Sequence, residues 1–391
     1  MSVPVYLDYA ATSPVDPRVV EAMLACLGAD GDFANPSSTS HAAGRRARER
    51  VERARYQVGS LLNAESTAIV WTSGATESDN LAILGAARGN RDRGNHLITS
   101  RAEHRAVLDP CRRLEREGFE VTYLTPDREG LVHVDQVREA LRPTTTLVSL
   151  MLVNNEIGVV QDIAAVGRLC AERGVLLHVD AAQAVGRVPI DVAGLGVDLL
   201  SVTAHKVCGP KGIGALYVRR RPRPTLLPLI FGGGQEGGLR SGTLATHQIV
   251  GMGEAFALVA GEGAAELTRI GTLRERLWRG LRAIGGVELN GHPAQRVAAI
   301  LNATFAGVEG ESLLLAAEDL AVASGSACSS ATREPSYVLR ALGRDDIAAQ
   351  ASLRFSLGRF TTAADIDRAV SLLQLAVPRL RELAPRAAGQ S

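Results

Sequence analysis

Two apolar runs in the middle of the chain end on residues that could do chemistry. Val175-Leu176-Leu177-His178-Val179 stops at Asp180, and the run Val197 to Val202 stops at Thr203-Ala204-His205-Lys206, followed by a Gly-Pro-Lys-Gly turn. Short apolar runs bounded by turn residues read as buried strands. Open α/β sheets collect their ligands beyond the C-terminal ends of such strands. An acid and a lysine delivered to that edge suit pyridoxal 5′-phosphate (PLP): the amine forms a Schiff base and the acid pairs with the pyridinium nitrogen.

Other strand ends carry polar groups as well. Ser73-Gly74-Ala75-Thr76 lies between a strand at Ala68–Trp71 and a helix from Glu77 to Ala87. Backbone N–H groups and the positive end of a helix favour an anion there, and Thr76 adds a hydroxyl. His104 follows the strand His96–Thr99, where its ring either stacks on an aromatic cofactor or serves the structure. Asn154-Asn155-Glu156 follows the strand Thr146–Leu152, and Gln183 comes shortly after Asp180. Five strand ends with polar or ionisable residues point to one site more specifically than any of them alone.

The elements that must position them alternate as strand, turn and helix from residue 68 onward. Further strands are expected at Glu120–Leu124, Asp198–Val202 and Gly214–Val218, and helices at Ala106–Gly118 and Asp162–Arg173, the latter stopped by Gly174. Such alternation predicts an α/β fold with a mostly parallel sheet sandwiched by helices. Pro222, Pro224 and Pro228 interrupt it, and Gly232-Gly233-Gly234 opens a loop through Gly242. A long helix, about Gly251 to Ile284, leads into a smaller α+β region. Residues 15–260 are read as the large domain, and 1–14 with 261–391 as the small one. Near the N-terminus, Pro17 starts a helix whose Val20, Met23, Leu24 and Leu27 share a face. Six arginines between 45 and 55 alternate with Glu49 and Glu52 and read as a solvated helix face.

Composition narrows the class. The 391 residues hold 43 basic and 42 acidic side chains, a net charge of +1, which gives no electrostatic case for nucleic acid or a membrane surface. No run reaches the about 18 apolar residues of a membrane span, and the N-terminus lacks the basic and apolar segments of a signal peptide, so a cytoplasmic location is expected. The five cysteines, Cys26, Cys111, Cys170, Cys208 and Cys328, include no CxxC pair, and no disulfide framework is expected. Cys26 and Cys170 read as packing, as does Cys208 in its tight Val-Cys-Gly-Pro turn. Cys328 lies among small residues, Ala323-Ser-Gly-Ser-Ala-Cys-Ser-Ser-Ala331. The residues alone leave it open between a reactive thiol and an ordinary loop cysteine.

GATESDN, EHRAVLD, NNEIG, HVDAAQ, TAHKVCGPKGIGALYV, GGGQE, LRSGT, SGSACSSA and LRFSLGRF occur in this order. In these motifs, from Tyr6 to about Leu383, the chain resembles the cysteine desulfurases of the IscS/NifS type, fold-type I PLP enzymes related to the class V aminotransferases. The resemblance implies that Lys206 carries PLP, Asp180 keeps the ring nitrogen protonated and Gln183 reaches the phenolic oxygen. It further implies that His104 stacks on the ring and shuttles protons, and that Ala75, Thr76, Thr203 and His205 bind the phosphate. Thr243 would join that phosphate site across a homodimer interface, Asn155 would lie beside cofactor and substrate, and Arg354 would clamp the substrate carboxylate.

The implied reaction converts L-cysteine to L-alanine. Lys206 removes the Cα proton, and the Cys328 thiolate takes the sulfur as a persulfide for an acceptor, notably an iron–sulfur scaffold protein. In relatives the same cysteine is suggested to ligate a nascent cluster shared with that partner, which makes Cys328 the one candidate metal ligand. Gly237 stands where the family's loop commonly has arginine, and Cys208 where its housekeeping members have an aromatic residue. The sequence stops at Ser391, short of the tail with which those members hold the scaffold. The neighbouring readings are a selenocysteine lyase or a class V aminotransferase, and, outside catalysis, an idle scaffold for sulfur acceptors. The small-residue run around Cys328 speaks against the transaminase and the Asp180–Lys206 pair against the idle scaffold.

Overall fold

The computed structural model describes residues 4–324 and 334–383. Thirteen strands and eleven α-helices are found among them. In chain order they begin with β1 (Val5–Tyr6), α1 (Pro17–Leu24), α2 (Ala42–Leu61), β2 (Ile69–Thr72), α3 (Ala75–Gly89), β3 (His96–Ser100), α4 (Arg105–Glu115) and β4 (Glu120–Leu124). Then come α5 (Val134–Ala140), β5 (Thr145–Met151), α6 (Ile163–Arg173), β6 (Leu176–Asp180), β7 (Leu199–Thr203), β8 (Gly214–Val218) and α7 (Thr246–Arg282). The remainder is β9 (Val287–Leu289), β10 (Ile300–Phe305), α8 (Gly310–Ala316), β11 (Leu320–Ala321), β12 (Ala323–Ser324), α9 (Tyr337–Ala341), α10 (Asp346–Gln350), β13 (Ser352–Ser356) and α11 (Ala363–Leu383).

Seven strands form the main sheet in the order β2-β8-β7-β6-β5-β3-β4. Only β8 runs against its neighbours; the pairs β3–β4, β3–β5, β5–β6 and β6–β7 are parallel. Both faces are covered, which is why the central strands read as continuous apolar runs. On one face Leu97, Leu147, Leu176 and Leu199 pack with Ile83 of α3 and Val107 of α4. On the other, Ile98, Val148, Leu177 and Leu200 pack with Val58 of α2, Val166 of α6 and Phe256 of α7. Asp162 caps α6 by accepting the Ala165 N–H, and Gly174 closes it at φ 64, a left-handed conformation that glycine adopts without strain.

A second sheet, β12-β13-β10-β9, is antiparallel and has its own core, with Leu301, Phe305 and Phe355 against Leu277 of α7 and Leu373 of α11. Val5 and Leu7 belong to this core, and β1 pairs with β11. Helix α7 serves both cores: Ile249, Met252 and Phe256 pack on the large sheet, while Ile270, Leu273 and Leu277 pack on the small one. The long helix thus starts at Thr246, several residues before its expected beginning.

Two sequence expectations change. In α1 the buried residue is Val19, while Val20 and Leu24 are 41% and 61% exposed, and Leu27 beyond the helix is 52% exposed. The helix is turned so that Met23 approaches Gly251 of α7, where an added Cβ would come within 2.8 Å of Met23 Cγ. Nor is the arginine-rich face of α2 wholly solvated. Arg55 is buried in a bidentate pair with Glu236 at 2.8 and 2.9 Å, and Arg46 and Arg50 both hold Asp32 at 2.9 Å.

Candidate active site

The C-terminal ends of β2, β5, β6 and β7 open into one cavity of about 500 Å³. Ala75, Thr76, His104, Asn155, Asp180, Gln183, Thr203, His205, Lys206 and Arg354 all border it. Thr243 does not; it is exposed on the loop that precedes α7. Cys328 lies outside the described residues. A larger cleft, about 700 Å³, opens alongside and shares His104 and Asn155, but Lys206 and Asp180 do not line it. Among the described residues no group of three or more His, Cys, Asp or Glu is placed to hold a metal ion.

Strand alternation explains the floor of the cavity. On β6, Leu177 and Val179 face the apolar core, so His178 and Asp180 face α3. Asp180 ends the strand, and one of its oxygens accepts the Ala182 N–H at 2.8 Å. Burial raises its pKa above the usual carboxylate range, the nearby Asp79 carboxyl adds to this, and His104 and Lys206 pull it back. Lys206 enters from the turn after β7. That turn is anchored at His205, whose carbonyl accepts the Ser13 N–H at 2.8 Å and the Ser13 hydroxyl at 2.7 Å. Burial and the charges of Lys206 and Lys211 press the His205 imidazole down to about 4, so the ring is neutral at neutral pH.

The phosphate end is the turn before α3. Gly74 precedes the helix at φ 156, a backbone region that glycine occupies far more readily than other residues, and no side chain caps the helix. The first N–H groups of α3 therefore point into the cavity mouth without a side-chain acceptor. Opposite, His104 caps α4 by accepting the Ala106 N–H on Nδ1 at 3.1 Å, which fixes its ring at the cavity wall. Burial lowers its pKa, so it too is neutral.

Arg354 is held before any substrate arrives. Its Nη1 donates to the Asn155 carbonyl at 2.9 Å and its Nη2 to Asp8 at 2.8 Å, while Nε is buried without a partner. The Asn155 side-chain oxygen is likewise buried and unpartnered. Gln183 donates from Nε2 to the Ala10 carbonyl at 2.8 Å and accepts on Oε1 from Arg187. Uncommitted polar atoms, an amine and a paired acid around one cavity fit a flat, phosphorylated, charged cofactor such as PLP.

Sequence reasoning missed several members of this wall. Asp79, Ala10, Thr12 and Lys211 border the cavity, and Asp8 holds Arg354. Asp79 carried a readable signal, a charged residue on a helix whose neighbours Leu81, Ala82 and Ile83 are all core. Asp8 and Ala10 carried none, because β1 reaches the site only through its pairing with the small region. Cys208 is buried as expected, with φ 61 and its N–H bonded to Ser13 Oγ at 2.8 Å.

Residues 5–369 match the aminotransferase class-V family. Cysteine desulfurase IscS of Aeromonas salmonicida (strain A449) is 60% identical over 385 residues, covering 98% of this chain and 95% of that protein. A solved structure described as a NifS-like protein superposes with a TM-score of 0.89 at 33% identity, covering 97% of this chain and all of that one. Another, SspA in complex with cysteine, does so at 0.82 and 39% identity over 91% of this chain and 99% of its own. The chain therefore belongs to the aminotransferase class-V family, in its IscS/NifS branch.

Proposed function

We propose that this chain is a PLP-dependent cysteine desulfurase. It converts L-cysteine to L-alanine and passes the sulfur, as a persulfide on Cys328, to an acceptor such as an iron–sulfur scaffold protein. The observation that carries the reading is the convergence of Lys206, buried Asp180 and the pre-oriented Arg354 on one cavity. Relatives named cysteine desulfurase IscS, similar over nearly the whole length, support it.

PLP, when bound, supplies an electron sink for the charge that develops at the substrate Cα. Asp180 would pair with the ring nitrogen, and the helix N-terminus of α3 with Thr76, Thr203 and His205 would hold the phosphate. Gln183 has one amide hydrogen left for the phenolic oxygen after its bond to Ala10. Arg354 offers its unspent Nε and remaining Nη hydrogens to the substrate carboxylate, a fork that a carboxylate matches. Asn155 lies beside it. Lys206 would take the Cα proton, and neutral His104 on the cavity wall would carry protons. The Cys328 thiolate then attacks the substrate sulfur: the S–S bond forms as the C–S bond breaks, and the carbon left behind is protonated on the way to alanine. On either side of residues 325–333 the described chain is tied to residues of the cavity and of the larger cleft beside it. Ala323 pairs with Arg354, and Ser336 donates to Glu156 Oε2 at 2.5 Å.

The same reading makes the molecule a cytoplasmic homodimer. Phe33, Tyr56 and Phe231 are exposed around α2 and the glycine-rich loop, and Thr243 is exposed and does not border its own cavity. In a dimer Thr243 would meet the partner's phosphate site. Among the described residues no helix is long and apolar enough to cross a membrane.

Lys206→Ala is expected to abolish the yellow chromophore formed on adding PLP, and Cys328→Ser to keep it while releasing neither alanine nor sulfide from L-cysteine. A wild type that stays colourless when saturated with PLP would sink the cofactor assignment. Turnover by the serine variant would remove Cys328 from the mechanism.

A further inference from the structure

Behind the cofactor acid lies a buried polar chamber that the proposed reaction does not use. Asp79, on the inner face of α3, borders the cavity, is 1% exposed, and neither of its carboxyl oxygens has a hydrogen-bond partner. His178 Nε2 lies 3.4 Å from Asp79 Oδ1. The same nitrogen is 3.0 Å from Ser201 Oγ, and His178 Nδ1 is 2.8 Å from Ser149 Oγ. Glu103 enters from the other side, also 1% exposed. Its Oε1 accepts the Met151 N–H at 3.0 Å, and Met151 is the cross-strand neighbour of Asp180, while Oε2 has no partner. Lys206, His104 and Cys111 are the other charged or titratable groups that act on these acids.

Three nearly buried carboxyls therefore act on one another at and behind the cavity floor. Carboxylates so placed cannot all ionise, because each is desolvated and repels the others. The donors decide which one does. Asp180 has the Ala182 N–H and opens onto the cavity, where a protonated ring nitrogen would stand. No hydrogen bond closes on either Asp79 oxygen, although the nearby Ser201 hydroxyl favours its anion, and Glu103 has none on its second. A bare carboxylate in such a place is costly, whereas a carboxylic acid brings its own O–H. With the imidazole proton on Nδ1, donated to Ser149, His178 Nε2 is an acceptor facing Asp79. Burial pushes the Asp79 carboxyl up to about 7 and Glu103 well above its usual range, and presses His178 down to about 4.

We propose that Asp79 and Glu103 are charge-setting positioning residues, both held as neutral acids in the loaded enzyme, so that Asp180 is the single anion behind the ring. One negative charge then meets one ring N–H⁺, and the buried site is balanced. This inference rests on the PLP reading above, and its test separates the two.

Holoenzyme would be prepared with carboxyl-¹³C aspartate or, separately, glutamate, and its infrared spectrum taken near neutral pH. We expect a protonated-carboxyl C=O band that shifts with labelled aspartate and is lost in Asp79→Asn. A band that shifts with labelled glutamate should be lost in Glu103→Gln, distinct from any contributed by Glu156. In parallel, the pH titration of the chromophore should move by less than about threefold in proton affinity in Asp79→Asn, since an amide replaces a neutral acid. Asp180→Asn should move it further than that. Absence of the aspartate band from labelled wild type, or a larger shift in Asp79→Asn, overturns the assignment. The wild-type spectrum decides even if a variant fails to fold. A protein that never colours with PLP refutes the cofactor reading, yet its carboxyl bands still report the proton state of Asp79.

Discussion

Arg354 shows how much of a substrate clamp is assembled before substrate binds. Two of its donors are spent on Asp8 and the Asn155 carbonyl, and these fix the plane of the guanidinium. Lysine cannot hold that plane, so Arg354→Lys should raise the KM for L-cysteine roughly tenfold or more while leaving chromophore formation intact. The buried acids give a pH signature with a definite sign. Asp79 and Glu156 are pushed to about 7 from the usual 3.8 and 4.5. Across that window the folded chain binds protons that the unfolded chain has released. Their contribution is complete at low pH and is lost as pH rises through about 7. Denaturant midpoints of the cofactor-free protein should therefore fall less between pH 5 and pH 8 in Asp79→Asn and Glu156→Gln than in wild type. Buried His178 and His205, pressed to about 4, act oppositely: they stabilise above pH 6.5 and cost stability as pH falls toward 4. The residues at strand ends were legible because turn chemistry marks where a strand stops. Asp8 and Glu103 were not, since their roles depend on which strand lies beside which.

At the scale of elements, the glycine-rich loop is tied down by one buried clasp. Glu236 sits at φ 52, accepts both Arg55 Nη groups and the Trp71 N–H at 2.8 Å, and Arg55 stacks over the Trp71 ring at 5.3 Å. Without Glu236, buried Arg55 keeps only the exposed Glu52 at 3.2 Å and the Ile69 carbonyl, so Glu236→Ala should cost about 3 kcal/mol in unfolding free energy. A loss below ~1 kcal/mol would show the clasp to be marginal. The loop also carries Arg240, paired with Glu77 at 2.9 Å beside the phosphate turn. The seven strands of the large sheet were readable from apolar runs between turn signals, and α6 from its Asp162 and Gly174 caps. The orientation of α1 was not, because periodicity defines an apolar face without saying whether this chain or another covers it. The double duty of α7 escaped for a related reason: one continuous helix pattern does not show a change of core.

At the scale of the molecule, the division into residues 15–260 and 1–14 with 261–391 remains our proposal, with α7 crossing it. In the homodimer proposed above, the exposed apolar residues around α2 would form the interface. Leu24→Glu combined with Phe231→Glu should yield monomers by sedimentation and faster loss of PLP, whereas an unchanged dimer would place the interface elsewhere. The central claim is that the lysine-bearing cavity and Cys328 act together. Mass spectrometry of Cys328 after incubation of the PLP-loaded enzyme with L-cysteine tests it most directly. The account predicts one added sulfur atom on that residue in wild type and none in Lys206→Ala. Alanine formation with Cys328 unmodified, or the same adduct without Lys206, would contradict it.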